Sequence, residues 1–575
     1  MVANLIKGSK NLLYSKQNSV LSAAVIIMIM VLSSRFLGLV RNRVYVHYFE
    51  PEKLDTFLAA FQLPDLLFEV LILGAMSSAL VPVFSRYVSQ NKDEQIKKVV
   101  GLTLSVLLLI FVFFSIIVFI FAQPYYSFLA QGFTDAQVAE TVSFTRWLVF
   151  AQLFFCISYV FTALLETHQR FLISASAPLF YNLGIIGTTL VLAPTMGLYA
   201  PVLGVVVGSF FHMLVQLPLA ISFGFRPVFL INFKDPDLIS IVKLALPRII
   251  ELSILQIKRS ADLFLATLVA GGLTYFRFGD SLASLPIGLF GLSIARASLP
   301  KLSLLGSGKN LEDFKATFAS SFKEILFLVI PTSIFLAVLR LPLVRLAFGT
   351  DNFDWQDTLN TGYVVSAFCL GAFAYALSLL IHRGFYALQD SKTPVKISII
   401  TIFINTVLGL LFVVILKLPI WSLALSYSIA GLVQLLILLG VFNKKIGGLG
   451  KFQLGQSFLR VTLAASTAGF TMYILLKLLD RAAWDRKLSF LQHIGFTLPT
   501  TFDHFVLDTR YTANLIIVTF LVALVGVIIY LGLAYLLKIE ELKVVYRVLH
   551  RLPFGMQILK LAQKEAVSVP PPNGS

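Results

Sequence analysis

Fourteen mostly apolar stretches of about 20 residues or more run through this chain, each long enough to cross the roughly 30 Å hydrocarbon core of a bilayer as a helix. They lie near 20–48, 56–88, 98–121, 140–166, 170–193 and 198–222, then 238–270, 275–303, 323–347, 358–387, 393–416 and 419–442, and finally 458–479 and 512–537. Lipid offers no partner to a backbone N–H or C=O, so segments of this kind cross as helices. Composition agrees: 58% of residues are hydrophobic and 13% charged, where soluble domains carry roughly a quarter charged residues. A water-soluble fold is excluded, and the fold class expected is an all-α polytopic membrane protein.

The positive-inside rule orients these spans. With a cytoplasmic N-terminus, the inner loops collect most of the basic residues, among them Lys92, Lys97, Lys98, Arg170, Lys301, Lys392, Lys396, Lys444 and Lys445, and the outer loops few, such as Lys53, Arg340, Arg345 and Lys417. Both termini are therefore expected to be cytoplasmic. The net charge of +17 reads as contact with anionic membrane lipid, and no nucleic-acid partner is expected. Cys156 and Cys369 lie inside apolar runs without metal-ligand spacing. The chain has no Walker loop, His-Glu-x-x-His or Gly-x-Ser-x-Gly, so neither a cofactor, a metal nor a catalytic residue is expected. The chain reads as a transporter rather than an enzyme, drawing on an ion gradient or the membrane potential.

Internal similarity divides the chain. Leu63-Pro64 leading to Val81-Pro82-Val83-Phe84-Ser85 recurs as Leu285-Pro286 leading to Leu299-Pro300-Lys301-Leu302-Ser303, with Pro64 and Pro286 222 residues apart. The turns at Gln169 and Gln389 are 220 apart. Nearly equal offsets predict two six-helix bundles of the same topology, 20–222 and 238–442, after a cytoplasmic segment 1–19 and before two further helices in 458–537 and a basic tail 538–575. Parallel repeats are a transporter signature, and rocking of such bundles gives alternating access. Prolines 64, 82, 247, 286 and 300 are placed to kink the mobile helices. Gly204 and Gly208 have the spacing of close helix packing.

An ionisable residue within a span costs roughly 2.5–3.5 kcal/mol on insertion scales, so it must face a polar cavity, pair or snorkel. Arg35 and Arg41 fall in span 1, read as one long helix. They are about 240° apart on it, and a kink after Ser33-Ser34 would bring them together. Asp55, at the start of span 2, can neutralise one of them or belong to the outer loop. In span 7, Lys258 and Arg259 stand four and three residues before Asp262, on one face, which pairs one cation and leaves a surplus. In span 8, Arg277 and Asp280 stand beside Ser281, and Arg296, 15 residues beyond Ser281, returns within about 60° of its face, predicting a positive stripe that attracts an anion. Glu69 stands alone among apolar residues in span 2, with Asp65 one turn before it to favour its protonated form by like charge. Glu69 and Asp262 are the candidates for ion coupling.

Several motifs carry a family resemblance: Ser34-Arg35-Phe36-Leu37-Gly38-Leu39-Val40-Arg41, Asp55-Thr56-Phe57, Phe61-Gln62-Leu63-Pro64-Asp65-Leu66-Leu67, Gly74-Ala75 leading to Val81-Pro82-Val83-Phe84, and Gly384-Phe385-Tyr386-Ala387-Leu388-Gln389-Asp390-Ser391-Lys392-Thr393-Pro394-Val395-Lys396. Over about residues 20–450 the chain resembles the MurJ (MviN) lipid II flippases of the MOP exporter superfamily. The resemblance implies fourteen helices, a bacterial cytoplasmic (inner) membrane, a cationic cavity for the pyrophosphate and sugars of lipid II, and a groove by spans 13 and 14 for its polyprenyl tail. Its implied partners are lipid II or a similar polyprenyl-pyrophosphate-linked glycan, membrane lipids and cell-wall synthesis proteins. The chain departs from the family pattern at Phe68 and Glu69, where two arginines are usual, at Leu73 and Asn42, where an acid is usual, and at Ser281, where an arginine is usual. Arg277, with Lys258 or Arg259, is the expected substitute for the missing cations. Export of another polyprenyl-linked glycan or an amphipathic drug, or a transport-inactive scaffold, are the competing functions.

Overall fold

The computed structural model describes residues 20–73, 79–90, 92–223, 225, 230–306, 311–481 and 506–543. The segment 1–19, the Gly74-Ala75 pair and the basic tail beyond 543 lie outside the described residues.

In chain order the helices are α1 (Val20–Tyr48), α2 (Pro51–Ala59), α3 (Gln62–Leu67), the π-helix π1 (Phe68–Leu73), α4 (Val81–Ser89), α5 (Asp93–Leu129), α6 (Asp135–Thr167), α7 (Phe171–Met196), α8 (Tyr199–Leu214), α9 (Leu217–Ser222) and α10 (Pro236–Thr267). There follow α11 (Gly272–Ala283), π2 (Ile287–Gly291), α12 (Leu292–Gly306), α13 (Leu311–Val338), α14 (Arg340–Phe348), α15 (Trp355–Ala387), α16 (Lys392–Gly409), π3 (Leu410–Ile415), α17 (Trp421–Lys445), α18 (Leu454–Leu479) and α19 (Thr512–Leu536). Among the described residues, ten helices are long and apolar enough to cross a membrane, and the bent pair α11 and α12 makes an eleventh. The expected spans outside that set are α1, the broken run α2 to α4, and α10. The fold is that of an all-α polytopic membrane protein, compatible with fourteen spans.

Local chemistry sets the helix ends. Thr134 and Gln137 close a capping box at the start of α6, as do Asp354 and Asp357 at α15, each satisfying N–H groups that a helix start leaves unpaired. Asp235 caps α10 ahead of Pro236. The two turns 220 residues apart are built alike. Gln169 and Gln389 both have φ of 59°, and in both the following N–H reaches back five residues, Arg170 to the Leu165 carbonyl and Asp390 to the Phe385 carbonyl, each at 2.9 Å. The repeat read from sequence is thus present in backbone geometry.

A second correspondence lies in spans 2 and 8. Each is broken near its first proline and continues through a π-helix, π1 after Pro64 and π2 directly after Pro286, and α11 and α12 are bent by 42°. Proline removes a backbone donor, and a π-turn accommodates the resulting misfit by adding a residue to the turn.

By packing, the chain divides between Leu273 and Thr274 into two units. In the first, α7 lies against α8 and α1, and α10 packs with α5, α3 and π1. The α7–α8 contact is close because it is made by glycines: a Cβ on Gly208 would meet the Tyr181 carbonyl oxygen at 2.5 Å, and one on Gly184 the Gly208 Cα at 2.6 Å. Small residues are how helices approach in lipid, where apolar burial gives little drive. In the second unit, Phe314, Phe318, Phe385 and Phe442 from α13, α15 and α17 share a core with Val461, Ala464 and Ala468 of α18 and with Tyr530 and Ala534 of α19.

Candidate functional site

All the candidate charges fall on α1, α2, π1, α10, α11 and α12, the segments where the apolar pattern is interrupted. The structure sorts them into held and open groups.

α1 is one helix of 29 residues, unbroken through Ser33-Ser34. The expected kink is absent, and Arg35 and Arg41 keep the separate faces that a six-residue spacing gives them. Arg41 is held: its Nη1 donates to Asn182 Oδ1 (3.1 Å) on α7, its Nη2 to Asn42 Oδ1 (3.2 Å), and its guanidinium lies 5.7 Å from the Tyr45 ring centroid. Asn182 is itself fixed, donating to Pro178 O (2.9 Å) and Ser34 Oγ (3.3 Å). Asn42, where an acid is usual in the family, thus serves as a neutral acceptor for Arg41. Arg35 is exposed and makes no hydrogen bond or ion pair among the described residues.

Asp55 is buried within α2 at 1% exposure rather than lying in a loop. Thr56 beside it donates to Glu140 (2.9 Å) of α6. The break between α2 and α3 is sealed by Tyr126, whose fully buried hydroxyl donates to the carbonyls of Ala59 (3.1 Å) and Ala60 (3.3 Å), and by Thr145, which donates to Ala60 (3.0 Å). Sequence reading missed Tyr126 and Thr145. Nothing marks a tyrosine near an apolar helix end as the partner of carbonyls some 66 residues away.

Span 7 differs from expectation. Lys258 Nζ pairs with Asp262 at 2.8 Å, the four-residue spacing read from sequence. Arg259 does not join them. Its Nη1 reaches Glu69 of π1 at 2.5 Å, while Gln256 Nε2 donates to the other Glu69 oxygen at 2.8 Å. Glu69 is therefore not alone, and the Lys258-Arg259 pair leaves no surplus cation: each of the two has its own carboxylate. The missing information was the second helix, since a window along α10 cannot see a carboxylate 190 residues away. Asp65 accepts from Gln152 Nε2 of α6 at 3.2 Å.

In the second unit Arg277, Asp280 and Arg296 are exposed. Arg277 and Arg296 make no hydrogen bond or ion pair among the described residues, and Tyr275, two residues before Arg277, donates to Asp357 at 2.6 Å. The helix between Ser281 and Arg296 is bent by 42° and passes through π2. The phase that relates Arg296 to Ser281 assumes an unbroken α-helix, and a π-turn shifts that phase. Among the described residues, no group of three or more His, Cys, Asp or Glu is arranged to hold a metal ion.

Two units repeating the same turn and the same π-broken span, with arginines on spans 1 and 8 that have no partner among the described residues, are the features of a polytopic transporter built from repeats. The family model described as "Lipid II flippase MurJ" matches residues 50–492. The chain belongs to this family. It is 30% identical over 403 residues to the probable lipid II flippase MurJ of Haemophilus influenzae, covering 66% of this chain and 79% of that protein, and 30% identical over 409 residues to the one of Vibrio cholerae, covering 68% and 77%. Its fold is similar to a solved lipid II flippase MurJ in an inward closed conformation, with a TM-score of 0.69 and 23% identity over 92% of this chain and all of that one. It is also similar to an inward-facing multidrug resistance MATE family transporter of the MOP superfamily, with a TM-score of 0.61 and 13% identity over 75% of this chain and 99% of that one.

Proposed function

We propose that this chain moves lipid II, or a closely similar polyprenyl-pyrophosphate-linked glycan, from the inner to the outer leaflet of the bacterial cytoplasmic membrane by alternating access. Both termini are then cytoplasmic, the driving force is an ion gradient or the membrane potential, and no covalent step occurs. Family membership over residues 50–492 supports the reading. The observation that carries it is the set of three exposed arginines, Arg35, Arg277 and Arg296, on membrane-spanning helices with no partner among the described residues. An unpaired charge in a span costs roughly 2.5–3.5 kcal/mol, and a diphosphate offsets that cost by charge-assisted hydrogen bonds to guanidinium groups.

A second reading, export of a different polyprenyl-linked glycan or an amphipathic drug, draws on the paired centre of α10: Lys258 and Arg259 are held by Asp262 and Glu69, leaving fewer open cations than the sequence suggests. Complementation separates the two. In cells depleted of their own flippase, expression of this chain restores growth and shape under the first reading, and the Arg277→Gln variant, expressed to the same level, does not. Failure of the unaltered chain to rescue, with membrane insertion verified, favours the second reading, and full rescue by Arg277→Gln removes Arg277 from the site.

A further inference from the structure

The two carboxylates of span 2 are partnered in the same unusual way. Glu69 accepts a side-chain amide N–H from Gln256 of α10 (2.8 Å), and Asp65, one turn before it, accepts one from Gln152 of α6 (3.2 Å). Both glutamines are more than nine-tenths buried, at 3% and 4% exposure. In both, the other amide atom, the carbonyl Oε1, has no hydrogen-bond partner among the described residues. A buried carbonyl left without a donor is destabilising, so its place beside a carboxylate calls for a purpose. A protonated carboxyl is a donor as well as an acceptor. If Glu69 takes up a proton, a carboxylic acid and an amide can pair side by side, the Glu69 O–H donating to Gln256 Oε1 while Nε2 keeps its bond to the other carboxyl oxygen, which satisfies the open group.

The consequence falls on Arg259. Its contact with Glu69 at 2.5 Å is half of an ion pair that is neither sealed in a core nor fully in water, with the side chains 32% and 17% exposed. Protonation of Glu69 removes the counter-charge and leaves Arg259 a cation in need of an anion. We propose that Glu69 is a proton-coupling residue that masks an anion site: uptake of one proton by the Glu69 carboxylate releases Arg259 to bind the diphosphate of the substrate, and loss of that proton returns Arg259 to Glu69 and expels the anion. The balance is simple. One carboxylate gains one H⁺, no covalent bond of the substrate changes, and the guanidinium exchanges one anionic partner for another.

The inference rests on the flippase reading for the identity of the anion. The elements packed against π1 bring other titratable or charged groups toward Glu69: Asp65 from α3; Tyr159, with Glu166 two turns along, from α6; Tyr125, bonded to Ser260 at 3.1 Å, from α5; and Lys258 and Asp262 from α10. Lys258 and Asp262 are paired with each other. The position of Glu69 in a π-helix, a geometry that shifts register by one residue at little cost and recurs at functional sites, suits a group that must let go.

The test is binding of a short polyprenyl diphosphate, farnesyl diphosphate, to the full chain in detergent between pH 6 and 8.5, by calorimetry in buffers of different ionisation enthalpy. The expected result is uptake of close to one proton per diphosphate bound at the upper end of the range, with Kd weakening by up to about tenfold per pH unit there. In Glu69→Gln, which keeps the shape and removes the charge, Kd is tight at every pH and the proton uptake disappears. Ionisation of the probe is common to both proteins and cancels in their difference. In Arg259→Gln, affinity falls at least tenfold and the pH dependence is lost. Binding with equal pH dependence and equal proton uptake in the unaltered chain and Glu69→Gln overturns the coupling while leaving the flippase reading in place. No binding by the unaltered chain at any pH overturns the diphosphate reading itself, and this inference with it. Proton uptake by the unaltered chain needs no variant, so a variant that fails to fold does not remove the test.

Discussion

Replacing Tyr126 with phenylalanine isolates the device that lets span 2 break inside the membrane. The Tyr126 hydroxyl is fully buried and donates to the Ala59 and Ala60 carbonyls at 3.1 and 3.3 Å, and the Thr145 hydroxyl reaches both Ala60 O and Tyr126 Oη at 3.0 Å. Thr145 has one proton, so it serves one of those acceptors at a time. Without the phenol, it can cover Ala60 O, but Ala59 O has no hydroxyl left. An average interhelical side-chain bond in a membrane is worth about 0.6 kcal/mol, whereas stranding a buried backbone carbonyl costs about 1–3 kcal/mol. Tyr126→Phe does the second, so the expected loss is about 1–2 kcal/mol, a five- to thirtyfold change in the folded-to-unfolded ratio. Reversible unfolding in mixed micelles, titrated with dodecyl sulfate and followed by the fluorescence of the native tryptophans, measures it. Thr145→Val alone should cost less, because the single Tyr126 proton remains shared between the two carbonyls, and the double variant should exceed the sum by at least about 0.5 kcal/mol. A Tyr126→Phe change within about 0.3 kcal/mol of zero, or strict additivity with Thr145→Val, would refute the view that these hydroxyls seal the break.

Three further expectations follow from contacts elsewhere. Gly208→Val places a branched side chain where even a Cβ would meet the Tyr181 carbonyl at 2.5 Å; overpacking of this kind costs about 1–3 kcal/mol, and the same micelle titration should show it, while Gly187→Ala, with nothing within 4 Å, should be silent. At the turn after α15, the Lys445 ammonium and then the Thr393 N–H hold the Asp390 carboxyl down to about 2, below the 3.8 of an unperturbed aspartate. Because the folded value is the lower one, this contribution is complete above about pH 4 and is lost as pH falls toward 2. Asp390→Asn should therefore be less stable at neutral pH and show a shallower acid loss over that window, and parallel curves would exclude the pair as the cause. Lys258→Met with Asp262→Leu removes a pair whose side chains are only 14% and 15% exposed. Replacing both partners should leave stability within about 1 kcal/mol, whereas Lys258→Met alone, which strands Asp262, should cost about 3–5 kcal/mol.

Much of this fold is written in short-range pattern. The apolar runs locate the spans, the 220-residue offset between Gln169 and Gln389 returns as matched left-handed turns, and the four-residue spacing of Lys258 and Asp262 gives their ion pair. Gly204 and Gly208 signal the close approach of α8 to α7. What a linear reading cannot supply is a partner on another helix. Glu69 looked isolated because Arg259 and Gln256 come from 190 and 187 residues away, and Tyr126 carried no mark of the carbonyls it seals. Phase counting also assumes a regular helix, and the π-turn after Pro286 lies between Arg277 and Arg296. The charges that define the candidate site were all legible as misfits in an apolar background. Their pairing was not, and pairing decides which of them are open to a ligand.

The most direct measurement of the central claim is lipid II movement in vesicles containing only this protein. With fluorescent lipid II reconstituted and the outer-leaflet fraction read by a membrane-impermeant quencher, protein-dependent exposure of the inner pool is expected, and its loss in Arg35→Ala. Movement no faster than in protein-free vesicles, or equal movement by Arg35→Ala, would contradict it.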